Sequence, residues 1–213
     1  MHFTYLTALA TLASASPLNS NRTVERRAYL PEPIDAMTAR QYLDELIVAS
    51  PVTDIPYDRK RFQHWINING KCDTRGTILK RDAIDQVMMD SECRVVSGSW
   101  RSDYDGMLIT NTHSRGLDIG HIVPLKEAWQ TGAYNWTTTR RREFANDLIR
   151  PQLLSISAQS NRMKGYKNPL KWMPSFREFR CPYVRAWIQV KHYYGLTVDR
   201  NEKDALLKLI SGC

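Results

Sequence analysis

His121 lies in the run Leu117-Asp118-Ile119-Gly120-His121-Ile122-Val123-Pro124-Leu125, with Gln152 and Asn161 downstream. These residue types carry a definite chemistry. A neutral imidazole near pH 7 can take a proton from water. Amide and carboxylate oxygens, here Asn161 and Asp118, suit Mg²⁺, which keeps most of its waters and needs few protein ligands. A base for water and a cation to offset charge on a phosphate and its departing oxygen are what phosphodiester hydrolysis requires. A lone histidine before a proline is more often structural, and His64, His113 and His192 stay with that reading, although His113 is close enough in sequence to line the same site. The company of Gln152 and Asn161 sets His121 apart.

The elements that must position these residues are readable from local pattern. Residues 93–100 are β-branched and closed by glycine, so they read as a strand. Asp103-Tyr104-Asp105-Gly106 makes a turn, and residues 107–112 form a second strand that leads into the one carrying His121. Residues 152–156 make another short strand. Ser157 then caps a helix that stops at Gly165 and carries Asn161. Further helices are expected at 38–49, opened by a capping box in Thr38-Ala39-Arg40-Gln41, and at 139–146, with its arginines exposed and Phe144 inward. Two more are expected at 183–194 and after Asp199, the latter with Leu206, Leu209 and Ile210 on its apolar face. Residues 78–89 fit helix and strand periods equally. The basic, aromatic-interleaved residues 57–65 read either as a strip tracking a phosphate backbone or as a short helix burying Phe62 and Trp65. The class is α+β, with no internal repeat and one domain over residues 28–213.

Strand, loop, strand, helix, with His on the first strand and Asn on the helix, resembles the ββα-metal (HNH) endonuclease motif, with its core at about residues 117–168. Residue by residue, the resemblance makes His121 the general base and Asn161 the metal ligand. Gln152 stands where the family's middle Asn orients the histidine through a hydrogen bond. Many members carry a second Asp directly before the histidine; Gly120 holds that place here. Asp-x-Gly-His instead resembles the secreted, non-specific branch related to the C-terminal domain of the GmrSD-type restriction enzyme. In that branch one Asn and a shell of waters hold the ion, so Asp118 either joins the metal site, acts through water or positions the loop. Cys72-Asp73-Thr74-Arg75, Phe144-Ala145-Asn146-Asp147, Pro151-Gln152-Leu153 and Lys167-Asn168-Pro169 are further landmarks of that branch, and with Val123-Pro124-Leu125 and Ala128-Trp129 they span residues 72–172.

The resemblance implies a metal-dependent, largely sequence-independent endonuclease acting on DNA and also on RNA. Mg²⁺ is the expected ion, with Mn²⁺ or Zn²⁺ as alternatives. Asn146 is either a helix C-cap or an amide supporting the catalytic residues. Arg140, Arg141, Arg162, Lys164 and Lys167 are candidate phosphate contacts, with a solvated helix face as the other reading for the first two. The rival readings are a toxin-like ribonuclease and a non-catalytic basic protein that binds nucleic acid or cell wall. No membrane or obligate protein partner is expected, and the protein should act as a monomer.

Composition and the ends of the chain agree with an extracellular setting. The first 20 residues hold no Lys, Arg, Asp or Glu, and residues 5–15 are a short apolar stretch ending Ala13-Ser14-Ala15. That suits a secretory signal over residues 1–15 and is too short to span a bilayer. Arg26-Arg27 would end a pro-peptide over 16–27. Residues 1–27 hold three arginines and one glutamate, a net +2, so +6 of the formal +8 remains on residues 28–213. A basic secreted surface points to polyanions. Cys72, Cys93, Cys181 and Cys213 allow three pairings, of which Cys72–Cys93 with Cys181–Cys213 is favoured as the more local. Asn135-Trp136-Thr137 is a glycosylation sequon that survives in the mature chain.

Overall fold

In the computed structural model, which describes residues 30–112 and 116–213, short strands and helices alternate along the chain. The signal and pro-peptide expected over residues 1–27, and His113, lie outside the described residues. The order is α1 (Ala36–Glu45), β1 (Asn67–Asn69), β2 (Cys72–Asp73), α2 (Thr74–Asp82), β3 (Met88–Met89), β4 (Val95–Arg101) and β5 (Leu108–Thr112). It continues with β6 (Leu117–His121), α3 (Leu125–Gln130), α4 (Thr138–Ala145), β7 (Leu153–Ser157), α5 (Ala158–Lys164), α6 (Arg180–Tyr194) and α7 (Arg200–Ser211). The strands form three small antiparallel sheets, β1-β2, β3-β4-β5 and β6-β7, which gives the α+β class.

The antiparallel pair β6-β7 lies between two apolar cores. In its register Asp118 faces Ile156, Gly120 faces Leu154 and His121 faces Leu153. Leu117, Ile119 and Leu153 belong to a core with Ile78 and Leu79 of α2 and Trp100 of β4. Leu154 and Ile156, one residue out of phase, belong to the larger core that holds Trp129, Phe144 and Trp187. Both faces are therefore dry, which explains the unbroken burial of β7. The free edge of β7 is closed by side chains of α2. Arg81 Nη2 donates to Leu153 O at 2.6 Å, and Asp82 Oδ2 accepts from Ser155 N at 2.7 Å. Without these partners the buried edge would leave backbone groups unmatched.

Several expectations are met and others corrected. The helix expected between Ser157 and Gly165 is α5, with Ser157 Oγ accepting from Ser160 N at 3.1 Å and Gly165 at φ 54°. Helix α1 opens earlier than expected, because Asp35 and not Thr38 is its cap: Asp35 Oδ1 accepts from Met37 N and Thr38 N. It also closes at Glu45, because Val48 pairs with Val198 in a parallel bridge and so must be extended. The ambiguous residues 78–89 divide into the end of α2 and the short strand β3. Residues 57–65 hold only a single 3-10 turn, Arg59–Arg61, which buries Phe62 and leaves Trp65 half-buried. Both favoured disulfides are formed, Cys72–Cys93 and Cys181–Cys213, the second tying the last residue to the start of α6.

Candidate active site

His121 ends β6, and its ring is 9% exposed. Nε2 lies 3.1 Å from the carbonyl oxygen of Ala145, the last residue of α4. A carbonyl only accepts, so Nε2 carries the proton and Nδ1 is left with its lone pair. The imidazole lies near two aromatic rings, Trp65 with centroids 6.0 Å apart and Phe144 at 6.5 Å. Burial drives its pKa down to about 3; the Ala145 carbonyl opposes the shift, while the charges of Arg59, Lys164 and His64 add to it. The ring is thus neutral, as a base must be, over the whole physiological range.

The residue that orients this ring is not the expected one. Gln152 faces the backbone of Val123, accepting from Val123 N at 3.0 Å and donating to Val123 O at 2.9 Å. Its amide therefore fixes the chain just after His121 and makes no bond to the imidazole. The positioning passes instead through Ala145, at a helix end stabilised by Asn146. Asn146 Nδ2 donates to Gln63 O and Arg142 O, and its Oδ1 accepts from Thr74 Oγ1 at 2.7 Å and Ile66 N at 3.3 Å. Asn146 is a C-cap and a tie at once.

On α5, Asn161 Nδ2 donates to Asp118 Oδ2 at 2.9 Å. This joins the helix to the first strand and leaves Asn161 Oδ1 and Asp118 Oδ1 as hard oxygen donors, a set that fits Mg²⁺. Gly120 belongs to the same feature. A Cβ there would meet Ile156 Cδ1 at 2.4 Å and Asn161 Oδ1 at 3.6 Å. The glycine keeps the space beside Asn161 Oδ1 open, and a larger residue at this position would require the Ile156 side chain to shift. No cluster of three or more His, Cys, Asp or Glu able to hold a metal occurs among the described residues.

The five basic residues separate into two groups. Arg141 is buried, with Nη1 donating to Ala133 O and Trp136 O and Nε to Arg61 O, so α4 does not expose all its arginines. Carbonyls take its Nε and Nη1 donors, which turns the guanidinium inward. Arg140 is exposed but bonds Tyr194 O at 2.8 Å and lies over the Trp136 ring. Arg162, Lys164 and Lys167 line one cavity of about 500 Å³ at the C-terminal end of α5. Lys164 is buried there, donating to the carbonyl of His121 at 3.0 Å, and burial brings its pKa down to about 7. Asn135 is exposed in a 3-10 turn before α4.

Sequence reasoning missed three participants. Residues 59–65 lie beside His121, bringing the Trp65 ring and the charges of Arg59 and His64 to it; Trp65 holds a left-handed φ of 59°. Asp105, in the turn between β4 and β5, accepts from the hydroxyls of Ser157 and Ser160 and so pins the start of α5. The third is the Ala145 carbonyl. The basic-aromatic composition of 57–65 was a usable signal; nothing local marked the other two.

One comparison gives the class of the chain. The family described as GmrSD restriction endonucleases, C-terminal domain, matches residues 74–209, from the start of α2 into α7, and the chain belongs to that family. It is also 41% identical over 207 residues to an uncharacterized secreted protein of Arthroderma benhamiae, a match covering 97% of this chain and 98% of the relative. No solved structure matches it. Among the described residues no helix is long and apolar enough to cross a membrane.

Proposed function

We propose that this protein is a secreted, metal-dependent endonuclease that hydrolyses DNA without sequence preference, RNA being a further substrate. The observation that carries the reading is the His121–Ala145 hydrogen bond, which leaves a neutral imidazole with its Nδ1 lone pair free for a water proton. The antiparallel pair β6-β7 followed by α5, bearing His121 on the first strand and Asn161 on the helix, has the order of a ββα-metal core. Family membership and the secreted relative support the nuclease class and the extracellular setting. The signal at 1–15, cleavage after Arg27 and a glycan at Asn135 complete that setting as proposals.

In the reaction, Nδ1 of His121 takes the proton of a water whose oxygen attacks phosphorus, and the phosphorus–oxygen bond to the sugar breaks. Asn161 Oδ1 and the Asp118 carboxylate would hold a divalent ion, best Mg²⁺, which supplies charge neutralisation at the phosphate when bound. Asp118 orients the Asn161 amide. Lys164 holds the His121 carbonyl and Gln152 holds the backbone of Val123 just beyond it, and Asn146 fixes the helix end whose carbonyl holds the ring. Among the basic residues, Arg162 and Lys167, exposed on the wall of one cavity, are the proposed phosphate contacts, with Arg140 as an outer one.

The test is cleavage by the purified protein of duplex DNA, single-stranded DNA and RNA with Mg²⁺, Mn²⁺, Ca²⁺ or Zn²⁺, and with EDTA. Cleavage of DNA that EDTA abolishes is expected. Binding without cleavage under every ion would overturn the reading in favour of a non-catalytic basic protein, and cleavage of RNA alone in favour of a ribonuclease.

A further inference from the structure

The cavity of about 500 Å³ beside α5 has a wall of unusual chemistry. Arg162, directly after Asn161, and Lys171 are exposed, and neither side chain has a hydrogen-bond or ion-pair partner among the described residues. Lys167 Nζ donates to Met163 O at 2.9 Å and remains at the surface. The acidic groups of the wall are already engaged. Glu127 Oε1 accepts from the buried Lys191 ammonium at 2.8 Å, and Asp199 caps α7 by accepting from Glu202 N at 2.8 Å. Free cations and occupied carboxylates make the opening selective for an anion.

A second observation says that the ligand is more than a bare anion. Asn168 lines the cavity, is 6% exposed, and its Oδ1 is buried without a hydrogen-bond partner. Buried polar atoms are nearly always matched, and this shielded acceptor gains a partner once the Asn168 side chain turns toward a donor in the cavity. The volume lies within the range of small-molecule sites, about 300–1,000 Å³. We propose that this cavity is a subsite for one nucleotide of the substrate, with Arg162 and Lys171 on its phosphate and Asn168 Oδ1 taking an N–H or O–H of its base or sugar. The proposal rests on the nuclease reading for its choice of anion, and it extends that reading from phosphate contacts to a defined nucleotide pocket.

The experiment is calorimetric titration of the intact protein in EDTA with deoxyadenosine 5′-monophosphate, deoxyadenosine and inorganic phosphate. The mononucleotide should bind at least tenfold more tightly than either fragment. The double variant Arg162→Ala/Lys171→Ala, whose side chains are exposed, should unfold at the parent's temperature and bind the mononucleotide at least tenfold more weakly. Unchanged binding by that variant overturns the proposal, and so does phosphate binding as tight as that of the mononucleotide. No metal and no cleavage enter the measurement. Mononucleotide binding in a protein that cleaves nothing would therefore sink the nuclease reading while supporting the pocket, and cleavage without binding would do the reverse.

Discussion

The imidazole of His121 donates through Nε2 to the backbone carbonyl of Ala145, 24 residues further on, across 3.1 Å. This one bond selects the tautomer, and its acceptor cannot be changed by substitution. The group that holds the acceptor can. Asn146→Ala removes four hydrogen bonds at the end of α4, leaving buried partners unmatched. A stability loss of about 1–3 kcal/mol is expected. Among molecules that remain folded, kcat should fall at least tenfold with KM little changed, because the ring is misaimed while the substrate contacts persist. Steady-state kinetics below the variant's melting temperature test this, and a variant with parental kcat contradicts it.

Two variants of Asn161 should differ in their response to Mg²⁺. Asn161→Ala removes an oxygen donor, and activity should fall about 100-fold or more, with saturation at higher Mg²⁺. Asn161→Asp keeps an oxygen and should retain more activity than the alanine variant. Mg²⁺ titrations of cleavage rate decide it; identical half-saturation in parent and Asn161→Ala would remove Asn161 from the metal site.

Gly120 is a packing requirement as well as a feature of the site. In Gly120→Ala the new methyl group lands on Ile156 Cδ1, which must move. Overpacking of this kind costs about 1–3 kcal/mol. Ile156→Val removes the offending Cδ1, so the double variant Gly120→Ala/Ile156→Val should be less destabilised than the two single effects added together. Additive losses in chemical denaturation would contradict the contact.

The neutral ring of His121 also links stability to pH. Its folded pKa, about 3, lies below the ordinary imidazole value of 6.5, so on acidification the unfolded chain takes up the proton first. The contribution is fully present above pH 6.5 and is lost progressively as pH falls toward 3. Between pH 7 and pH 5 the parent should lose about 2 kcal/mol more than His121→Gln, at 1.36 kcal/mol per unit of pH below 6.5. Urea unfolding of both proteins at the two pH values measures the difference, and equal acid losses would place the ring in water.

How much of this was legible in the sequence depended on whether the determinant was local. Ser157 and Gly165 bound α5 correctly because a cap is made within one turn. His121 and Asn161 could be singled out by residue type, order and resemblance. The partner of His121 could not, because Ala145 contributes only a backbone carbonyl, which any residue supplies. Arg140, Arg141 and Arg142 are consecutive and look alike in sequence, yet packing turned the middle one into the interior, where carbonyls of Ala133, Trp136 and Arg61 receive it. Lys164, a candidate phosphate contact, is likewise turned inward, onto the carbonyl of His121. Helix α1 ends where a strand-like bridge to Val198 begins, 150 residues away from Val48, beyond any local signal.

The central claim is that His121 is the base of a metal-dependent phosphodiester hydrolysis, and plasmid cleavage by His121→Ala tests it most directly. In Mg²⁺, with the fold verified by thermal unfolding, the variant should lose cleavage by about 100-fold or more, the lower end of the range for general-base catalysis. Undiminished cleavage by a folded His121→Ala protein would contradict the account.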